Sequence, residues 1–258
     1  MMPIEWLDKE RLAKAPQFGT FLNLGSSLSA ELAAAKGFDW LLVDTEHGAG
    51  DFADMVRQLQ AIGGWPVSPI VRVLWNDAQL IKRTLDAGAA GIMIPYVSSA
   101  HEASAAVAAM RYPPAGNRGA AGTTRATGFG TEMVEYHSRA NDRVTTIVQL
   151  ESPEAVGAAD EIAAVDGVDV LFVGPLDLSF NLGEPRNYES DAFSSALDRV
   201  VAACDRHQKT PGILASAESA ERFRDLGFRF IGIGSDGHCL NVGLDRLSQL
   251  AGRLRSSE

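Results

Sequence analysis

With 258 residues, 46% of them hydrophobic, the chain can bury a substantial core and has the length of one large α/β domain or two small ones. A formal charge of −10, spread without acidic blocks or a basic stripe, argues against a nucleic-acid partner, and no run approaches membrane-spanning length. The charged first ten residues lack the apolar stretch of a signal peptide, and Cys204 and Cys239 have no metal-ligand spacing; the expectation is a cytoplasmic protein with reduced thiols.

Taken in chain order, short β-rich runs recur at 18–24, 39–44, 68–74, 91–97, 145–151, 169–174, 210–215 and 228–234. Helical spacing falls between them, as in Phe52 to Ile62, Ala78 to Ala87 and Ala192 to Cys204. Continuous apolar strands alternating with helices imply a parallel sheet covered by helices. Eight such units in this length predict a (β/α)₈ TIM barrel, one domain over residues 1–258. An open doubly wound sheet is the alternative, but Gly25-Ser26-Ser27 is no glycine-rich dinucleotide fingerprint. The segment from Tyr112 to Asp142 breaks the repeat with five glycines between 116 and 130 and with Arg118, Arg125, Arg139 and Arg143 nearby. It reads either as a flexible surface loop or as a loop whose arginines complete an active site, of this subunit or of a neighbour.

Active sites of such barrels form at the carboxyl ends of the strands. A census of those ends returns Asp44, Glu46 and His47 after strand two, Arg72 in strand three, Gln149 and Glu151 at strand five and Asp177 after strand six. A lone acid after a strand is often a helix N-cap. Two acids at successive strand ends, 26 residues apart, point to one divalent metal, because hard cations take one or two protein carboxylates and leave positions open for substrate oxygens. Period-two alternation puts Gln149 and Glu151 on the same face. His47 is either structural or a general base, and Asp86 is a candidate to orient it, its plain alternative being a solvated acid at a helix end. Arg72, inside an apolar run, must be paired with a protein carboxylate or held for an anionic substrate. Gly174, Pro175, Leu176 and Asp177 read as a turn into a helix whose free N–H groups can bind a small carboxylate. None of the five lysines falls at a strand end, which argues against Schiff-base chemistry, and neither Gly-x-Ser-x-Gly nor His-Glu-x-x-His is present.

These blocks together resemble the HpcH/HpaI family of metal-dependent, class II pyruvate aldolases over nearly the full length. The resemblance is carried by Phe-Asp-Trp-Leu-Leu-Val-Asp-Thr-Glu-His-Gly (38–48), Val-Arg-Val (71–73), Ile-Lys-Arg-Thr-Leu-Asp-Ala-Gly (81–88), Arg-Tyr-Pro-Pro-Ala-Gly-Asn-Arg-Gly (111–119), Val-Gln-Leu-Glu-Ser (148–152) and Phe-Val-Gly-Pro-Leu-Asp-Leu-Ser (172–179). It implies a barrel assembled into a hexamer, with the last helix exchanged between subunits. By motif, it implies Glu151 and Asp177 as ligands of Mg²⁺, Mn²⁺ or Co²⁺, and His47 with Asp86 as a proton-transferring dyad. Arg72 would contact the ketone or enolate oxygen, Gln149 would position substrate, the backbone at Leu176 and Asp177 would hold the pyruvate carboxylate, and Arg125 would reach the aldehyde side across a subunit interface. Leu176, where the family often has alanine, and Gly128-Phe129-Gly130 depart from the family pattern and bear on donor and acceptor range.

The activity so implied is reversible cleavage of 4-hydroxy-2-oxo acids, of the 4-hydroxy-2-oxoheptanedioate or 2-keto-3-deoxy sugar acid type, to pyruvate or hydroxypyruvate and an aldehyde through a metal-stabilised enolate. Two rivals stand beside it: an acyl-CoA lyase of the citramalyl- or malyl-CoA type, and a non-catalytic metabolite-binding barrel.

Overall fold

A computed structural model describes residues 4–255. Its elements run α1 (Lys9–Leu12), β1 (Gln17–Leu22), α2 (Ser27–Ala34), β2 (Trp40–Asp44), α3 (Phe52–Ile62), β3 (Ser68–Arg72), α4 (Ala78–Asp86), β4 (Gly91–Ile94) and α5 (Ala100–Met110). They continue with α6 (Met133–Arg143), β5 (Thr145–Leu150), α7 (Pro153–Gly157), α8 (Ala159–Ala163), β6 (Val170–Val173) and α9 (Pro175–Asn181), then α10 (Asp191–His207), β7 (Thr210–Ala215), α11 (Ala220–Asp225), β8 (Phe230–Ser235) and α12 (Asp236–Arg255).

All eight strands pair in parallel with their sequence neighbours, and β1 closes on β8, so the sheet is a barrel in the order β1 to β8. β2 to β6 are buried along their whole length, as strands must be when helices cover one face and a packed interior the other. That interior is filled by Phe21, Trp40, Leu42, Ile70, Met93, Ile147, Val170, Phe172 and Phe230. Trp40 and Phe230 stack with ring centroids 4.0 Å apart. A Cβ on Gly19 would meet the Trp40 ring at 2.1 Å, so that glycine makes the room for it.

The amino end of the barrel is plugged. Leu7 and Leu12, before and within α1, join the interior cluster, and Gln17 Nε2 donates to the Asp8 carbonyl. Lys9 Nζ reaches Asp169 Oδ2 at 2.9 Å and the Val144 carbonyl at 2.9 Å, tying the plug to the starts of β5 and β6. The carboxyl end is therefore the open mouth.

Sequence and structure diverge between Tyr112 and Asp142. The last third of that segment is α6, where Tyr136 and Ala140 pack onto the core. The remainder connects the end of α5 to β5 and lies at the plugged end, because an αβ connection returns the chain to where strands begin. Gly128-Phe129-Gly130 forms one 3₁₀ turn with positive φ throughout and belongs to this same end. Its bearing on donor or acceptor range therefore does not extend to its own barrel mouth. Among the described residues no helix is long and apolar enough to cross a membrane.

Candidate active site

At the mouth, Asp44 closes β2 and Arg72 closes β3, in register as direct partners. Arg72 forks onto Asp44, Nε to Oδ1 at 2.9 Å and Nη2 to Oδ2 at 2.7 Å, and its Nη1 lies 3.0 Å from Glu46 Oε2. Arg72 is thus paired with protein carboxylates, one of the two readings the sequence left open, and its Nη1 faces the mouth group Glu46. Burial opposes the guanidinium charge, but Asp44, Glu46 and Glu151 outweigh it and raise the Arg72 pKa. Asp44 Oδ1 also accepts from the Glu46 and His47 N–H groups, so one carboxylate shapes the whole loop after β2.

Gln149 and Glu151 do share a face. Gln149 Nε2 donates to Glu151 Oε1 at 2.7 Å, while Gln149 Oε1 is buried with no partner among the described residues. The Glu151 backbone carbonyl is held by Asn181 Nδ2 at 2.7 Å, which ties α9 back to the end of β5. Gly174 is required here for close approach: a Cβ would meet Glu151 Oε1 at 2.5 Å and Gln149 Nε2 at 2.9 Å. It sits at the N-cap of α9, so Asp177 lies in the first turn and Leu176, 45% exposed, at the rim. The Leu176 and Asp177 N–H groups are first-turn donors that no carbonyl of the helix can reach.

Tyr96, just after β4, joins the two acids. Its N–H donates to Glu151 Oε2 at 3.1 Å and its phenol to Asp177 Oδ1 at 3.3 Å. The sequence reading missed it, though a tyrosine directly after an apolar strand end belongs in the same census that found the acids. Burial, reinforced by the charges of Asp177 and Glu151, pushes the phenol pKa up to about 12, so Tyr96 is a neutral donor.

Four carboxylates (Asp44, Glu46, Glu151 and Asp177) thus share the mouth with one guanidinium. Burial pushes Glu151 up to about 8; the Tyr96 N–H opposes that shift, and Asp177 and Glu46 add to it. Burial likewise raises Glu46, against Arg72 and His47. A surplus of carboxyl groups over cations, an orphaned amide oxygen and an all-oxygen donor set fit a hard divalent cation held by two carboxylates, with the remaining positions left to substrate oxygens. Among the described residues no cluster of three or more His, Cys, Asp or Glu side chains could hold a metal.

Two expected members of the site are elsewhere. His47 stands at the mouth, its side chain 64% exposed, with Nε2 3.9 Å from Glu46 Oε2. Asp86 ends α4, a helix that starts beyond β3 at the mouth and runs down the outside, so it sits at the plugged end. There Arg118 Nη2 donates to it at 2.8 Å and also to the Tyr136 hydroxyl. His47 and Asp86 share no contact among the described residues, and the dyad does not form within one chain; the acid beside His47 is Glu46. Arg125 also lies at the plugged end, where Nη1 and Nη2 donate to the Ala87 and Leu59 carbonyls at the exits of α4 and α3. It caps helices there and does not enter its own chain's mouth.

Residues 17–241 match the family described as HpcH/HpaI aldolase/citrate lyase. A protein from Salmonella arizonae named 4-hydroxy-2-oxo-heptane-1,7-dioate aldolase is 40% identical over 237 residues, covering 92% of this chain and 90% of its own. One from Paraburkholderia phytofirmans named hydroxypyruvate/pyruvate aldolase is 44% identical over 236 residues, covering 88% and 90%. Among solved structures, an HpcH/HpaI aldolase/citrate lyase family protein from Burkholderia cenocepacia superposes with a TM-score of 0.89 at 38% identity, over 96% of this chain and 98% of its own.

Proposed function

The chain belongs to the HpcH/HpaI aldolase/citrate lyase family, and from that premise we propose that it is a metal-dependent pyruvate aldolase. This carbon–carbon lyase reversibly cleaves 4-hydroxy-2-oxo acids to an aldehyde and pyruvate, or a related 2-oxo acid such as hydroxypyruvate. The observation that carries the reading is the surplus of carboxyl groups at the mouth, where Glu151 and Asp177, bridged by Tyr96, converge near a single guanidinium. The acyl-CoA lyase and non-catalytic alternatives draw less support, since relatives at 40–44% identity are named as aldolases.

Glu151 and Asp177 would hold Mg²⁺, Mn²⁺ or Co²⁺, whose Lewis acidity, when the ion is bound, stabilises an enolate. The chain's own groups do the rest. The Leu176 and Asp177 N–H groups, at the positive end of α9, receive the substrate carboxylate, with Gly174 and Pro175 setting that turn. Arg72 Nη1 faces the mouth and donates to the oxygen on which enolate charge develops, its fork on Asp44 keeping the guanidinium fixed. Gln149, anchored on Glu151 through Nε2, offers its free Oε1 to a substrate hydroxyl. In the cleavage direction His47 takes the proton of the 4-hydroxyl, the C3–C4 bond breaks with its electrons passing into the enolate, and the aldehyde leaves. Protonation at C3 then gives the 2-oxo acid. Glu46 is the carboxylate placed to steady the imidazolium that forms.

The reading extends to a cytoplasmic homohexamer of one-domain chains, residues 1–258, with α12 exchanged between subunits. Two free cysteines are compatible with a reducing compartment. No residue of α12 is buried within the chain, and Leu240, Leu244, Leu247, Leu250 and Leu254 form an exposed apolar stripe along it. A monomeric mass by light scattering would remove this part of the proposal.

The test of the activity is deuterium exchange into the pyruvate methyl group, followed by NMR after chelation and again after adding Mn²⁺. Exchange that appears only with Mn²⁺ supports enolate formation independently of the aldehyde. Its absence under both conditions overturns the aldolase reading.

A further inference from the structure

We propose that Tyr96 is a positioning residue that holds the two candidate metal-binding carboxylates, Glu151 and Asp177, at their working separation. The inference rests on the aldolase reading above and adds a residue to it. Tyr96 reaches both acids through different atoms, its N–H to Glu151 Oε2 and its phenol to Asp177 Oδ1, and so spans the ends of β4, β5 and β6.

Tyr96 has a φ of 51°, a left-handed conformation costing of order 1 kcal/mol or more for a residue with a large side chain, and one that persists only where surrounding contacts determine it. Those contacts are on both sides. The N–H is taken by Glu151, the next N–H, of Val97, by the Gln149 carbonyl at 3.1 Å, and the ring lies 6.2 Å from Trp75, stacked within 29° of parallel. An extended Tyr96 would turn the N–H away from Glu151. The Tyr96 ring is held over the mouth by its stacking on Trp75.

Glu151 is buried and Asp177 is half-buried in the first turn of α9, so both acids give up water when they are brought together. A donor on each acid lowers the cost of that approach. The phenol's hydrogen bond to Asp177 Oδ1 fixes the orientation of that carboxylate relative to Glu151. Partners of metal ligands tune affinity in this way, by fixing the ligand before the ion arrives.

The test is titration calorimetry with Mn²⁺ alone on wild type, Tyr96→Phe, Tyr96→Gly and Trp75→Ala, with the melting temperature of each metal-free protein. Tyr96→Phe keeps the ring and the N–H, and its Mn²⁺ affinity falls about tenfold, the low end for a lost partner of a metal ligand, with an unchanged melting temperature. Tyr96→Gly suits a positive φ, keeps the N–H and loses affinity to the same extent; Trp75→Ala gives a smaller loss. Wild-type affinity in Tyr96→Phe overturns the positioning role while leaving the aldolase reading intact. Wild-type protein that binds no Mn²⁺ overturns both.

Discussion

The two ends of this barrel handle charge in opposite ways. Among the described residues, the buried or half-buried ions of the plugged end are held one by one: Lys9 with Asp169, Arg118 with Asp86, Arg11 with Asp39, and Arg111 and Arg125 each with two backbone carbonyls. At the mouth four carboxylates face one guanidinium, and burial leaves Glu151 protonated up to about pH 8. A buried charge with one matched partner serves the fold, since the pair replaces water for both groups. An unmatched cluster costs stability and persists where something outside the chain completes it. The difference separates function from scaffold without reference to any ligand.

The sharpest way to break the comparison is Glu151→Gln. It removes an acid the fold holds protonated, so Mn²⁺ binding and methyl exchange are lost while the melting temperature holds or rises. A lower melting temperature in a calorimetric scan would show that Glu151 is structural. Arg72→Lys comes next, because Arg72 alone at the mouth is matched as the plugged-end ions are. Losing the fork on Asp44 lowers the exchange rate by about 10²-fold, the scale of one lost oxyanion donor, measured by NMR at saturating pyruvate.

At the other end, Lys9→Met leaves Asp169 and the Val144 carbonyl without their partner. Both side chains are partly exposed, so the cost is about 2 kcal/mol, or a fall of roughly 4–8 °C in melting temperature, with the exchange rate of the folded protein unchanged. The smallest effect is with pH. Because the folded-state pKa of Glu151 is raised, its contribution to the stability of the metal-free protein is full below the unfolded carboxylate pKa and is lost as pH rises through about 8. Mn²⁺ must displace that proton, so affinity strengthens by up to about tenfold per pH unit toward pH 8 and then levels. Titration in two buffers of different ionisation enthalpy measures the proton released; none released at pH 7 would place the shifted pKa elsewhere.

Much of this was legible in one dimension. All eight strands lie within three residues of the apolar runs that announced them, and α3 spans the same residues, Phe52 to Ile62, as its spacing predicts. Arg72, Gln149, Glu151 and Asp177 were found because strand ends in such a barrel converge, and each stands at one or just beyond it. What was not legible concerns helix ends and connections. Asp86 and Arg125 flank chemistry in the sequence motifs but fall where helices finish, at the end of the barrel opposite His47 of the same chain. Tyr96 escaped notice because its role depends on a backbone conformation that a tyrosine rarely adopts.

By itself, then, the sequence determined the barrel and the mouth acids, because both follow from local periodicity: alternation sets which side chains face inward, and strand ends must meet at one rim. Only the tertiary structure decided which acid stands beside His47, which charges are paired, and that one tyrosine bridges Glu151 and Asp177. Those outcomes depend on distances between residues tens of positions apart, and in a barrel such distances are set by which end of an element a residue occupies.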